Sequence, residues 1–163
     1  MAGPDLSELP EALRDRLPDL MRAAIAEARR ADEPFGCVLA DYETGELWAA
    51  APSIVDSDAT AHAEINALRI LALRRQRADR AALIATAEPC PMCAAAALWS
   101  GVRAVVYGTS IAMLIRAGWR QIALPCSEVL ARAVPPGGPV VVGGFLAEET
   151  DPLYGEGSPA GGS

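Results

Sequence analysis

Residues 81–108 read AALIATAEPCPMCAAAALWSGVRAVVYG. The run AALIATA is short and apolar, which suits a strand buried on both faces. Pro91 fits the first position of a helix, where its missing N–H costs nothing. The spacing predicts a helix over PMCAAAALWS, closed by Gly101. VRAVVYG is a second buried strand. Cys90 and Cys93 stand at the start of the helix, three apart, so both sulfurs lie on one face. Free N–H groups and the helix dipole lower a thiol pKa there, and thiolate is the form that binds metal.

The same reading extends in both directions. Leu6, Leu9, Leu13 and Leu17 recur at helical spacing. Pro18 is expected to break that run or to begin a new helix. Leu20, Met21, Ala24, Ile25 and Ala28 carry an apolar face on to about Arg30. CVLAD and ELWAA read as the strands of a hairpin around YETG. PSIVDSDAT is a loop, followed by a helix from about Ala61 to Arg75 with Thr60 or Asp58 as its cap. Past Gly108, SIAMLIRAG is expected as a helix, RQIAL as a strand and SEVLARA as a short helix. PPGG is a loop, PVVVGG a last strand or extended lead, and FLAEETDPLY a C-terminal helix. Helices alternating with apolar strands predict an α/β fold, a three-layer α/β/α sandwich whose sheet the early hairpin makes mixed. Residues 1–154 are expected to form one domain and 155–163 a flexible C-terminal tail.

Composition narrows the function. The chain has 163 residues, 52% of them apolar, and a formal charge of −7. That balance disfavours nucleic acid as a whole-surface partner. The N-terminal residues lack the apolar run of a signal peptide, and no window is long and apolar enough to span a bilayer. A cytoplasmic location is therefore expected, with Cys37, Cys90, Cys93 and Cys126 reduced. In that setting closely spaced cysteines bind metal or react more often than they pair.

The only histidine, His62, lies in ATAHAEINAL, residues 59–68. Two thiolates and one imidazole make three protein ligands, and three ligands with an open position describe a catalytic zinc site. Thiolate ligands cancel the charge of the ion and weaken it as a Lewis acid, so a nearby base should take the proton of water. Glu64 is that base. In an ideal helix a residue two positions on points away, so Glu64 is not expected to share the face of His62; it is read as a proton carrier and not a ligand.

HAE with PCPMC fills every fixed position of the zinc nucleobase deaminase signature. With PFG before the first strand, DATAHAEINAL, and AEPCPMCAAAALWSGVRAVVYG, the sequence resembles the cytidine deaminase-like superfamily. It is most similar to the branch of guanine deaminases, yeast-type cytosine deaminase and tRNA adenosine deaminases. The resemblance covers roughly residues 20–108. It implies a five-stranded sheet between helices, Zn2+ on His62, Cys90 and Cys93, and hydrolysis of an exocyclic amine with release of ammonia. Glu64 carries protons from water to the ring nitrogen and the leaving group. Backbone N–H groups near Ala63 and Cys90 help to hold the attacking oxygen or the substrate, and dimers or larger assemblies are common, so a homodimer is expected.

Two positions depart from the branch. Ala51 stands eleven residues before His62, where the branch usually has an asparagine. The acidic residue frequent after VVYG is missing from TSIAML. Phe35, Trp48, Trp99 and Trp119 are candidates to stack on a flat ring, and Glu148, Glu149 or Asp151 to reach a base amine. The expected substrate is a small amino-substituted heterocycle, a base or nucleoside, with guanine ahead of cytosine. Arg69, Arg74, Arg75, Arg77 and Arg80 form a basic cluster that a tRNA adenosine deaminase would use on phosphates. A non-catalytic zinc protein is the alternative of another class, with Cys37 or Cys126 as a fourth ligand.

Overall fold

The computed structural model describes residues 3–155. A first helix, α1 (Glu11–Ala28), is followed by the hairpin β1 (Gly36–Asp41) and β2 (Leu47–Pro52). Then come α2 (Ala63–Leu73), β3 (Ala81–Ala87), α3 (Pro91–Ser100) and β4 (Ala104–Thr109). The chain continues through α4 (Ile111–Arg116), α5 (Cys126–Ala131), β5 (Val140–Val142) and α6 (Ala147–Thr150), with a 3-10 turn over Asp151–Tyr154. The sheet order is β2-β1-β3-β4-β5. β1 is antiparallel to both β2 and β3, while β3–β4 and β4–β5 are parallel, so the sheet is mixed.

The helices cover both faces. On one side Leu13, Leu17, Leu20, Met21 and Ala24 of α1 meet Val38, Ile84 and Val106. On the other, Ala63, Ala67 and Leu71 of α2 and Ala97 of α3 meet Leu39, Leu83 and Val105. The three layers are those expected. Their spacing is tight: a Cβ on Gly36 would lie 2.0 Å from the Ala24 carbonyl oxygen. Only glycine lets α1 descend onto the first strand there.

Three local expectations are corrected. Pro18 lies inside an unbroken α1. A mid-helix proline costs about 3 kcal/mol, but each fully buried leucine returns about 1.5–3 kcal/mol, and Leu13, Leu17 and Leu20 are all buried. RQIAL forms no strand; Arg120 and Ile122 are exposed and the fifth strand is β5. FLAEETDPLY forms only the one-turn α6 and the 3-10 turn, because Pro152 cannot continue an α-helix. Of the expected tail, all but Gly155 lies outside the described residues. No helix among the described residues is long and apolar enough to cross a membrane.

Candidate active site

The centre of the site is built by two helix starts. His62 is the N-cap of α2, with extended φ −62° and ψ 154°. Cys90 is the N-cap of α3, with φ −62° and ψ 167°. The loop that delivers His62 is pinned by Asn66, whose amide donates to the Pro52 and Ala61 carbonyls, both at 2.9 Å. Asp58 caps no helix; it accepts from the Thr60 N–H at 2.9 Å and closes the turn just before. Because His62 sits outside the helix proper, the facing rule does not separate it from Glu64. Both line one cavity.

The donor atoms of His62, Cys90 and Cys93 all lie within 4.8 Å of one another. His62 Nδ1 is 3.6 Å from Cys90 Sγ and 3.6 Å from Cys93 Sγ. Tetrahedral zinc with bonds of about 2.3 Å to sulfur and about 2.0 Å to nitrogen separates such donors by about 3.6 Å. The donor set therefore fits zinc in chemistry and in spacing. Cys37 and Cys126 are buried elsewhere and do not join the cluster, nor does Glu64. Among the described residues the cluster has three protein ligands, the number that leaves a position open.

The protein biases the protonation of these groups. Cys90 is pulled down to about 4, first by the Cys93 thiol donating to it, then by His62 and the Cys93 N–H, which together outweigh burial. Cys93 is pushed up by that same hydrogen bond and by burial. His62 is raised, chiefly by its contact with Cys90. Burial raises the Glu64 carboxyl, which is 8% exposed.

The cavity beside the cluster has a volume of about 450 Å³. One wall carries His62, Glu64, Cys90 and Ser53; the other is Leu114 with the irregular segment Trp119–Ile122. That second wall is tied back by Glu88. Its carboxylate accepts from the Ile111 N–H at 2.8 Å and the Cys126 N–H at 2.9 Å, holding the starts of α4 and α5 together. Trp119 donates its indole N–H to the Tyr154 carbonyl at 3.2 Å. Phe35, Trp119 and Tyr154 form an aromatic trio with centroids 5.0 to 5.9 Å apart.

Of the ring-stacking candidates, Phe35 and Trp119 line the cavity. Trp99 does not: it is 84% exposed on the outer side of α3, because Cys93, Ala94 and Ala97 take the inner face. Trp48 packs beside the α2-side core. Ala63 is buried, and it is the first helical residue of α2, where an N–H has no intrahelical acceptor. Glu149 pairs with Arg22 at 2.7 Å, and Asp151 accepts from Thr109 at 2.7 Å; with Glu148, neither lines the cavity. Glu88, Asn66 and Ser53 were not foreseen as site residues. A lone acid closing a buried strand, as Glu88 does in ATAEPC, is the one sequence signal from which such a role could have been read.

Residues 15–109 match the family described as the cytidine and deoxycytidylate deaminase zinc-binding region. The probable cytosine deaminase of Schizosaccharomyces pombe is 35% identical over 100 residues, 59% of this chain and 62% of that protein. The guanine deaminase of Bacillus subtilis is 32% identical over 105 residues, 58% of this chain and 66% of that one. A solved structure from work on A-to-I editing by tRNA:A34 deaminases superposes with a TM-score of 0.71 at 30% identity, covering 83% of this chain and 99% of that one. The chain spans about three fifths of the length of the curated relatives it matches. Since the matched segment runs from α1 to the end of β4 and contains all three donors, this chain belongs to the cytidine and deoxycytidylate deaminase zinc-binding family.

Proposed function

We propose that this chain is a hydrolytic deaminase of small amino-substituted heteroaromatic rings, acting on free bases or nucleosides. The observation that carries this is one cavity lined by a buried acid, Glu64, and by His62 and Cys90 of the three-donor cluster, with Cys93 buried behind them. His62, Cys90 and Cys93 would hold zinc, which when bound supplies Lewis-acid activation of water. Glu64 takes the proton that water gives up and delivers protons to the ring nitrogen and the amine. The bond from the ring carbon to its exocyclic nitrogen breaks, a C–O bond forms at that carbon, and ammonia leaves with the ring intact. Phe35 and Trp119 offer flat faces to the ring, and Ala63 offers its N–H. A cavity of about 450 Å³ accommodates a two-ring base, which puts guanine or a related aminopurine ahead of cytosine.

The basic cluster does not favour a tRNA substrate. Arg80 pairs with Asp41 at 3.1 Å, Arg69 with Asp58 at 4.0 Å, and Arg77 with Asp79, while Arg74 donates to the Trp48 carbonyl. Three of the five guanidinium groups are thus paired with acids of the chain, against an overall charge of −7. The free cysteines support a reducing, cytoplasmic setting. Exposed Met92 and Trp99, two turns apart on α3 with Ala95 and Ala96 between, form an apolar stripe that supports a homodimer.

The test is ammonia release by the zinc-loaded chain from guanine, cytosine, their nucleosides, pterins, triazines and a tRNA anticodon stem. Glu64→Ala is expected to keep its zinc and lose at least about 100-fold in turnover; His62→Ala loses both. Turnover confined to the RNA moves the reading to a tRNA adenosine deaminase. No ammonia from any compound overturns the reading, and wild-type turnover by Glu64→Ala removes that residue as proton carrier.

A further inference from the structure

We infer that Ser53 is a specificity residue of the cavity, its hydroxyl pairing with a polar edge of the bound ring other than the amidine that reacts. This rests on the functional reading above and deepens it. Ser53 is 2% exposed yet lines the cavity. No side-chain hydrogen bond of the described residues involves its hydroxyl, and the one sealed, unpaired side-chain atom among them is Gln76 Oε1, so the Ser53 hydroxyl keeps its access to the cavity.

The backbone around it is fixed. The Ser53 N–H donates to the Phe35 carbonyl at 3.0 Å, and its carbonyl accepts from the Asp32 N–H at 3.3 Å. Asn66 holds the preceding Pro52 carbonyl at 2.9 Å. The hydroxyl is thus carried on a segment tied at three points, the kind of support that preorganises a binding group.

The other polar groups of the cavity are charged or already engaged: Glu33 and exposed Arg120 line it as charged side chains. Glu88 is spent on two backbone N–H groups. Glu64 and the three-donor cluster serve the reacting carbon and its adjacent nitrogen. Ala51, within β2 and two residues before Ser53, is buried in the α2-side core and contributes no polar atom. Ser53 and half-buried Gln121 remain as neutral groups, each able both to donate and to accept. Such a pair matches a lactam edge, in which N–H and C=O stand side by side, as in guanine and cytosine. It gains nothing from a plain hydrocarbon edge.

The test is calorimetric binding of guanine, cytosine and 2-aminobenzimidazole, which keeps an amidine but has a hydrocarbon edge, to the zinc-loaded full chain carrying Glu64→Ala, a parent that keeps Ser53 and turns no ligand over. Ser53→Ala is expected to weaken guanine or cytosine by about threefold to tenfold. It should leave 2-aminobenzimidazole, zinc content and melting temperature unchanged. Ser53→Thr, which keeps the hydroxyl, restores the lost affinity. Equal affinity of Ser53→Ala for the lactam bases overturns the assignment. So does an equal loss for 2-aminobenzimidazole, or a parent that binds none of the three. A lactam base bound by the parent through Ser53, from which the chain with Glu64 intact releases no ammonia, overturns the deaminase reading alone.

Discussion

The two walls of the cavity are made differently. The metal wall rests on short-range rules: two helices begin at residues 63 and 91, and their N-caps are themselves donors. The opposite wall, Leu114 to Ile122, is irregular after the single short helix α4 and is held by contacts distant in sequence. Glu88 reaches Cys126 across 38 positions, and Trp119 reaches Tyr154 across 35. One wall is preformed by local backbone chemistry. The other keeps its shape only while a few long-range bonds hold, and substrate shape is therefore easier to alter there without disturbing the metal.

Breaking the Glu88 anchor is the strongest way to test that contrast. A carboxylate satisfies both the Ile111 and Cys126 N–H groups, whereas the amide of Glu88→Gln has one acceptor and turns a donor towards the other. A buried, charge-assisted bond is lost and a buried N–H is orphaned, which costs about 2–4 kcal/mol. Urea unfolding is expected to show that loss, while metal analysis of the folded protein still finds one zinc per chain. An unchanged urea midpoint would mean that the second wall is not hung from Glu88.

What the sequence disclosed follows the same division. The strand–helix–strand over 81–108, the hairpin and the three donors were legible because proline at N1, glycine at C′ and a period of two act within a few residues. His62 and Glu64 were placed on opposite faces only because His62 was counted as helical; as an extended N-cap it escapes the helical period. RQIAL has the composition of a strand, but the sheet edge beside β4 is taken by β5, through the register of Val105 with Val141. Nothing local in residues 120–124 records that competition. Ser53 was hidden for the same reason, since its hydroxyl is informative only once Phe35 and Asn66 have fixed its backbone.

A smaller effect is expected at Trp119. Trp119→Phe keeps an aromatic ring against Phe35 and Tyr154 but removes the indole donor, leaving the Tyr154 carbonyl unpaired. The cost is about 1–2 kcal/mol, read as a lower melting temperature. Affinity for a ring ligand should fall along with it, because the 3-10 turn over Asp151–Tyr154 loosens behind the wall. Zinc content serves as the internal control; its loss would show that the two walls are not independent.

The smallest effect is expected far from both walls, at the hairpin end of β1. Asp41 is 2% exposed. Burial alone would push its carboxyl up, but the N–H groups of Thr44 and Glu43, the Thr44 hydroxyl and Arg80 outweigh it and hold it below the usual carboxylate range. A carboxyl lowered on folding stabilises fully above its unfolded value near 3.9, and that share is lost as pH falls through the folded value. Three of the four contacts fall on Oδ1, which Asp41→Asn retains; Oδ2 meets only Arg80, whose side chain is 60% exposed. Solvent screens that pair, so Asp41→Asn should cost less than about 1 kcal/mol at neutral pH. Its unfolding free energy should also fall less steeply than wild type between about pH 4 and pH 2. An acid limb identical to wild type would assign that sensitivity to other carboxylates. A change in zinc content or ring binding would show that the hairpin, which reaches the site through Pro52 and Ser53, transmits strain to the metal wall after all.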